Sequence, residues 1–133
     1  MVKKAPTIIK DISPVITFRD SATNITNMFL RIFLAKERLT EKQLDVTTAL
    51  TTRYATYISD GVKEPYASKF LFSAETRKEI CKELSISAPH LNNTFNALTK
   101  KNILDKQDKQ YTINPAIVPA SSLTFKFVES GNK

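Results

Sequence analysis

The chain has 133 residues, 41% hydrophobic and 25% charged, and a formal net charge of +7. That length supports one real core and is too short for two, and no apolar run approaches the ~20 residues of a membrane span. One cysteine, one histidine and two glycines exclude a disulfide framework, a Cys/His zinc site and a phosphate-cradling glycine-rich loop.

Catalysis has little material. A Ser-His-Asp or Cys-His site would need His90, and nothing near it reads as a nucleophile elbow, so the expectation is a protein that is not an enzyme and uses no cofactor or metal. The start, MVKKAP, has lysines but no apolar stretch behind them. It does not read as a signal peptide, which points to the cytoplasm. The positive charge is spread out, with residues 1–58 carrying +4, residues 74–109 carrying +2 and no basic tail. Such a distribution suits a globular face that meets an acidic partner better than a disordered electrostatic arm.

In chain order, Thr7-Ile8-Ile9 and Val15-Ile16-Thr17-Phe18 are β-prone and interrupted by Ser13-Pro14. A helix is expected over 22–37, where Ile25, Met28, Phe29, Ile32 and Phe33 repeat at helical spacing. Leu30 and Leu34 make it apolar nearly all round, the mark of a central core helix buried on more than one side. Thr40-Glu41-Lys42-Gln43 is a capping box that starts a second helix reaching Ile58. Its stripe Leu44, Thr48, Thr51, Ala55, Ile58 faces inward; a further stripe, Val46, Leu50 and Tyr57, means either packing on two sides or a dimer seam.

Residues 59–72, punctuated by Gly61 and Pro65, read as a connection. Ser73 then caps a helix over 74–84. Ile80, Cys81 and Leu84 face inward, and Glu75, Lys78, Glu79 and Lys82 form a salt-laced outside. The Glu75/Glu79/Glu83 series is interleaved with Arg77, Lys78 and Lys82, which favours a solvated face over a metal site.

The most informative stretch is LSISAPHLNNTFNALTKKNIL, residues 84–104. Leu84-Ser85-Ile86-Ser87 is a turn with one apolar anchor, Ile86. Ser87 can accept from the His90 amide, and Pro89 in the first turn costs no helical hydrogen bond. At ~100° per residue, Leu91, Phe95 and Leu98 share one side of the following helix. Pro89, Asn93, Asn96 and Lys100 lie opposite, flanked by His90 and Asn92. Two short helices joined by such a turn make a helix-turn-helix pattern. Asparagine can pair with an adenine edge through both a donor and an acceptor, and lysines 100 and 101 suit both phosphate and the negative end of the helix dipole. The plainer alternative is a solubilising face, although asparagine is a mediocre helix former for that purpose.

Asn102 is expected as the helix C-cap. Ile103-Leu104 and the alternating Tyr111 and Ile113 then flank a polar tip, a hairpin pattern lacking the usual glycine. Lys106 and Lys109 at that tip would meet phosphate or a minor groove, and Asp105 and Asp108 read as turn formers rather than metal ligands.

Residues 73–118 resemble the winged-helix domain shared by bacterial and phage transcription regulators and plasmid replication proteins. The run EICKELSISAPHLNNTFNALTKKNIL follows the pattern of a helix, a short turn and a recognition helix leading into L-x-K-K-x-x-I/L. YTINPAIV is similar to the wing exit Y-x-I-N-P-x-I of the replication proteins of small Firmicute plasmids. The resemblance covers about a third of the chain. It implies a recognition helix in the major groove of double-stranded DNA, with Ser87, Pro89, His90, Asn92, Asn93 and Asn96 at the matching positions.

The tail Ser122 to Val128 alternates with Leu123, Phe125 and Phe127 on one side, the pattern of a last strand that could pair with Val15–Phe18. The expected architecture is mainly α with a small β component (α+β): a winged helix-turn-helix with an extra N-terminal strand and helix and a C-terminal strand. Residues 1–39 form an extension with the core helix, 40–118 the winged helix-turn-helix and 119–133 the tail, in one compact unit. The expected partner is duplex DNA, with no membrane and with a homodimer left open. The rival expectation is an assembly protein, for instance of a phage virion, that uses the same fold to bind other structural proteins.

Overall fold

The computed structural model describes residues 21–118. The strands expected at 7–9, 15–18 and 122–128 lie outside them. Five helices and one hairpin follow in order: α1 (Ala22–Phe33), α2 (Glu41–Ser59), α3 (Tyr66–Leu71), α4 (Ala74–Leu84), α5 (Ala88–Lys100), β1 (Leu104–Gln107) and β2 (Gln110–Ile113). The chain is mainly α with a small antiparallel β component. No helix among the described residues is long and apolar enough to cross a membrane.

Local capping chemistry explains most of the starts. Ser21, Thr40, Ser73 and Ser87 each accept a hydrogen bond from the backbone N–H three residues on, satisfying a donor that the first helical turn leaves unpaired. At Thr40 the box is reciprocal, because the Gln43 side chain accepts from the Thr40 N–H at 3.0 Å.

α2 is the central element and packs against α1, α3, α4 and α5. Leu44, Val46, Thr47, Thr48, Ala49, Leu50 and Thr51 are all buried, so its two stripes reflect packing on two sides within the subunit. The inward stripe stops short of the helix end, since Ile58 is exposed. Leu30, Leu34, Leu71, Phe72, Ile80, Leu91, Phe95, Leu98, Ile103, Leu104, Tyr111, Ile113 and Ile117 complete one contiguous core. Each fully buried Leu, Ile or Phe contributes roughly 1.5–3 kcal/mol of transfer free energy.

α1 departs from expectation in two ways. It ends at Phe33, with Leu34 at its C-cap, and a 3-10 turn over Ala35–Glu37 follows and stops at Arg38, which takes a left-handed conformation (φ 52°). Among the described residues it is also buried on one side only. Thr26, Leu30 and Leu34 pack on α2, while Ile25, Met28, Ile32 and Phe33 are exposed, Ile32 by 60%. An Asn27 to Thr48 hydrogen bond and a two-pronged Arg31–Glu41 ion pair at 2.7 and 3.0 Å fix α1 on α2.

Residues 59–72 are not merely a connection, since they contain α3. The N-cap of α3 is Pro65, and Glu64 just before it accepts from the Ser68 N–H and Oγ–H at 2.9 and 2.7 Å and from the Tyr54 hydroxyl at 2.9 Å. On α4, Glu79 and Glu83 pair across to α2 rather than along their own helix. Arg53 lies 2.8 Å from Glu83 and 3.9 Å from Glu79. No group of three or more His, Cys, Asp or Glu side chains suited to a metal ion stands among the described residues.

Candidate nucleic-acid interface

α4 and α5 are joined by Ser85-Ile86-Ser87. The helix must stop and reverse within three residues, and Ser85 does this in the left-handed region (φ 54°), with its N–H returning to the last carbonyls of α4. Ile86 donates its N–H to the Cys81 carbonyl at 3.0 Å and tucks its side chain against the core. Ser87 then opens α5.

α5 is sharply two-sided. Leu91, Thr94, Phe95 and Leu98 are buried, while Pro89, His90, Asn92, Asn93, Asn96 and Lys100 are exposed. Ser87 is exposed too, and its Oγ accepts from the His90 N–H at 3.2 Å, a bond that leaves the hydroxyl's own proton for another acceptor. Lys101 is placed differently from Lys100. It is half-buried at the helix C-cap, with Nζ 2.6 Å from the Glu37 carbonyl oxygen, so it ties the end of α5 to the segment before α2. Asn102 is one residue past the cap, in a left-handed conformation (φ 62°).

The hairpin follows at once. Leu104 pairs with Ile113 and Gln107 with Gln110, so the turn is the two residues Asp108 and Lys109. Both have positive φ, 51° and 67°, as the tight turn favoured by twisted strands requires. Asp108 is thus a turn residue, and the Asp105 carboxylate accepts from the Gln107 amide at 3.3 Å. Lys106 and Lys109 are exposed, and Lys106 Nζ stands 5.0 Å from the centre of the Tyr111 ring. Asn114 closes the hairpin base, donating to the Asn102 carbonyl at 2.9 Å and accepting from the Ala116 N–H at 3.0 Å.

Two residues central to this surface were not expected there. Tyr111 is buried against Phe72 and Phe95, with ring centres 5.5 and 5.3 Å away, and its hydroxyl donates to Asn96 Oδ1 at 3.2 Å. Arg77 lies over both the Phe95 and Tyr111 rings, at 5.2 and 5.7 Å. Its Nε donates to the Phe72 carbonyl at 3.0 Å and its Nη1 to Asn92 Oδ1 at 3.1 Å. The spacing 77, 80, 81, 84 sets Arg77 on the inward stripe of α4, a signal the charge pattern of that helix obscures. The surface therefore gathers Ser87, Pro89, His90, Asn92, Asn93, Asn96 and Lys100 on one helix face, with Lys106 joined to it through Tyr111. Lys109 sits at the hairpin tip.

The chain matches no family model, and neither the curated proteins nor the solved structures give a significant match.

Proposed function

We propose that the chain is a non-enzymatic, winged-helix protein that binds double-stranded DNA, a transcription regulator or replication initiator of phage or plasmid type acting in the host cytoplasm. α5 is the recognition helix in the major groove, and the β1–β2 hairpin is a wing whose Lys106 and Lys109 meet phosphate or a minor groove. The observation that carries this reading is the outer face of α5. Asn93, Asn96 and Lys100 stand exposed opposite a fully buried Leu91, Phe95 and Leu98, flanked by the exposed His90 and Asn92. A helix needing only solubility is better served by Glu, Lys or Gln, whereas amide side chains suit base edges and the helix N-terminus suits phosphate.

A mobility-shift titration on random and AT-rich duplex at two salt concentrations tests it. Affinity should fall steeply with salt through counterion release. No duplex binding even at low salt would refute the proposal.

A second reading has its own support. The exposed Ile25, Met28, Ile32 and Phe33 of α1 favour an assembly protein, such as a virion component, whose contacts are with other proteins. That protein would show salt-insensitive association and little affinity for duplex.

A further inference from the structure

We infer that Arg77 and Tyr111 are positioning residues that fix the amides of Asn92 and Asn96 oxygen-inward, so that α5 presents donors to the groove and favours guanine over adenine opposite those two side chains. This rests on α5 being the recognition helix.

The argument starts from the chemistry of the partners. A guanidinium has five N–H donors and no acceptor. The Asn92 atom that meets Arg77 Nη1 at 3.1 Å must therefore be Oδ1, which turns the amide nitrogen away from Arg77. The guanidinium is itself held, by the Phe72 carbonyl and by the Phe95 and Tyr111 rings, so Asn92 is tied to a fixed point. Asn96 is anchored in the same sense by the Tyr111 hydroxyl at 3.2 Å, and that ring is fixed by Phe72 and Phe95. Asn93 makes no side-chain hydrogen bond within the described residues and remains free to turn.

Adenine recognition by an asparagine needs both ends of the amide, oxygen to N6–H and nitrogen to N7. At Asn92 and Asn96 the oxygen already accepts a bond. Arg77 also places a positive charge beside the Asn92 oxygen, which disfavours the approach of a base amino group. Guanine offers N7 and O6, two acceptors on its major-groove edge. It asks only for donors, which the outward Nδ2 groups supply. Asn93 alone keeps the two-ended pairing with adenine. A guanidinium held over aromatic rings thus sets which base is read without contacting it.

The test uses the full chain and selection from a randomised duplex library. Asn92→Ala, Asn93→Ala and Asn96→Ala first assign each side chain to a base position. The wild type is expected to select guanine at the Asn92 and Asn96 positions and adenine at the Asn93 position. Tyr111→Phe keeps the ring and removes only the hydroxyl. It should relax guanine preference about 2- to 10-fold at the Asn96 position alone, the worth of one hydrogen bond. Arg77→Lys, which keeps a cation over the rings but lacks the fork, should do the same at the Asn92 position. Selection of adenine at these two positions, or preferences that neither substitution moves, overturns the inference.

The side-chain amide resonances of the free protein separate this from the DNA reading. Tyr111→Phe should shift the Asn96 pair and Arg77→Lys the Asn92 pair, each leaving the Asn93 pair in place. If these shifts occur and no duplex binds, the DNA reading fails and takes the base preference with it, while the anchoring stands. If they do not occur, the anchoring itself is wrong, whatever the protein binds.

Discussion

Replacing Phe95 with alanine should cost more than any other single truncation on α5. The side chain is fully buried, and its ring centre lies 5.5 Å from Phe72 and 5.3 Å from Tyr111, with the Arg77 guanidinium 5.2 Å above it. Truncating a buried phenylalanine costs roughly 3–5 kcal/mol, transfer and cavity together. Aromatic pairs add about 0.5–1.5 kcal/mol beyond area. Two such pairs and a cation on one ring put Phe95→Ala at the upper end, about 4–5 kcal/mol. A small domain is stable by only about 5–15 kcal/mol, so the variant should sit close to unfolding, with its melting temperature lowered by about 15–30 °C.

Urea titration followed by circular dichroism measures the cost as a lower midpoint at similar slope. Asn96→Ala, one residue along, is the control. It gains about 0.5 kcal/mol of helix propensity and loses the Tyr111 hydrogen bond, worth about 0.5–1.5 kcal/mol. The net is a loss of about 0–1 kcal/mol. A Phe95→Ala cost below about 1.5 kcal/mol, or a larger cost for Asn96→Ala, would mean that α5 is rotated and that the wrong face has been assigned to the exterior.

On DNA, Asn93→Ala should cost about 1–3 kcal/mol on a preferred site and much less on random duplex; equal losses would make its contact merely positional. Lys100→Ala should weaken all sequences alike and lower the salt slope by roughly one, so an unchanged slope would remove it from the interface. Ser85→Gly should stabilise the fold by about 0.5–1 kcal/mol, since relief of the left-handed strain outweighs the extra freedom glycine gives the unfolded chain; a lower denaturation midpoint would count against it. For Glu64, burial pushes the carboxyl up, but the bonds from the Ser68 hydroxyl and amide and the Tyr54 hydroxyl outweigh it, and its pKa is lowered overall. A depressed carboxyl contributes stability above its unfolded value and loses it as pH falls through the folded one. The melting-temperature gap between wild type and Glu64→Gln should therefore hold steady near neutral pH and close below about pH 4. A gap independent of pH would show that the charge on Glu64 is not what holds α3.

What could be read from the sequence is what local chemistry decides. The Thr40–Gln43 box, the Ser73 and Ser87 caps and the inward triad of α5 all involve residues within two turns of one another, and the structure has them where their spacing puts them. α3 escaped because its N-cap is Pro65, which with Gly61 reads as loop, and its first turn is held instead by Glu64 bonded to Ser68. The exposure of Ile25, Met28, Ile32 and Phe33 could not be foreseen from periodicity, which marks an apolar face without saying what covers it. The surface of α5 was legible in its residue types and not in their orientation. Asn92 and Asn96 owe their amide directions to Arg77, 15 residues before the one, and Tyr111, 15 residues after the other. No local pattern encodes those meetings.

The docking of the hairpin also bears on how the molecule opens. Two four-residue strands are marginal on their own, and a free hairpin would exchange its amide hydrogens through local fraying. Here Tyr111 extends from β2 into the same buried cluster as Phe72 and Phe95, and Leu104 and Ile113 lie within the core. Separating the hairpin from α5 therefore means breaking the main core. Its amides should exchange with the slow class of α2 and α5, in one cooperative unit, and Lys106 should be as still as the helix it neighbours. The turn Asp108-Lys109, with no side chain in that cluster, should exchange fast, so that mobility rises abruptly within two residues of the last strand pair.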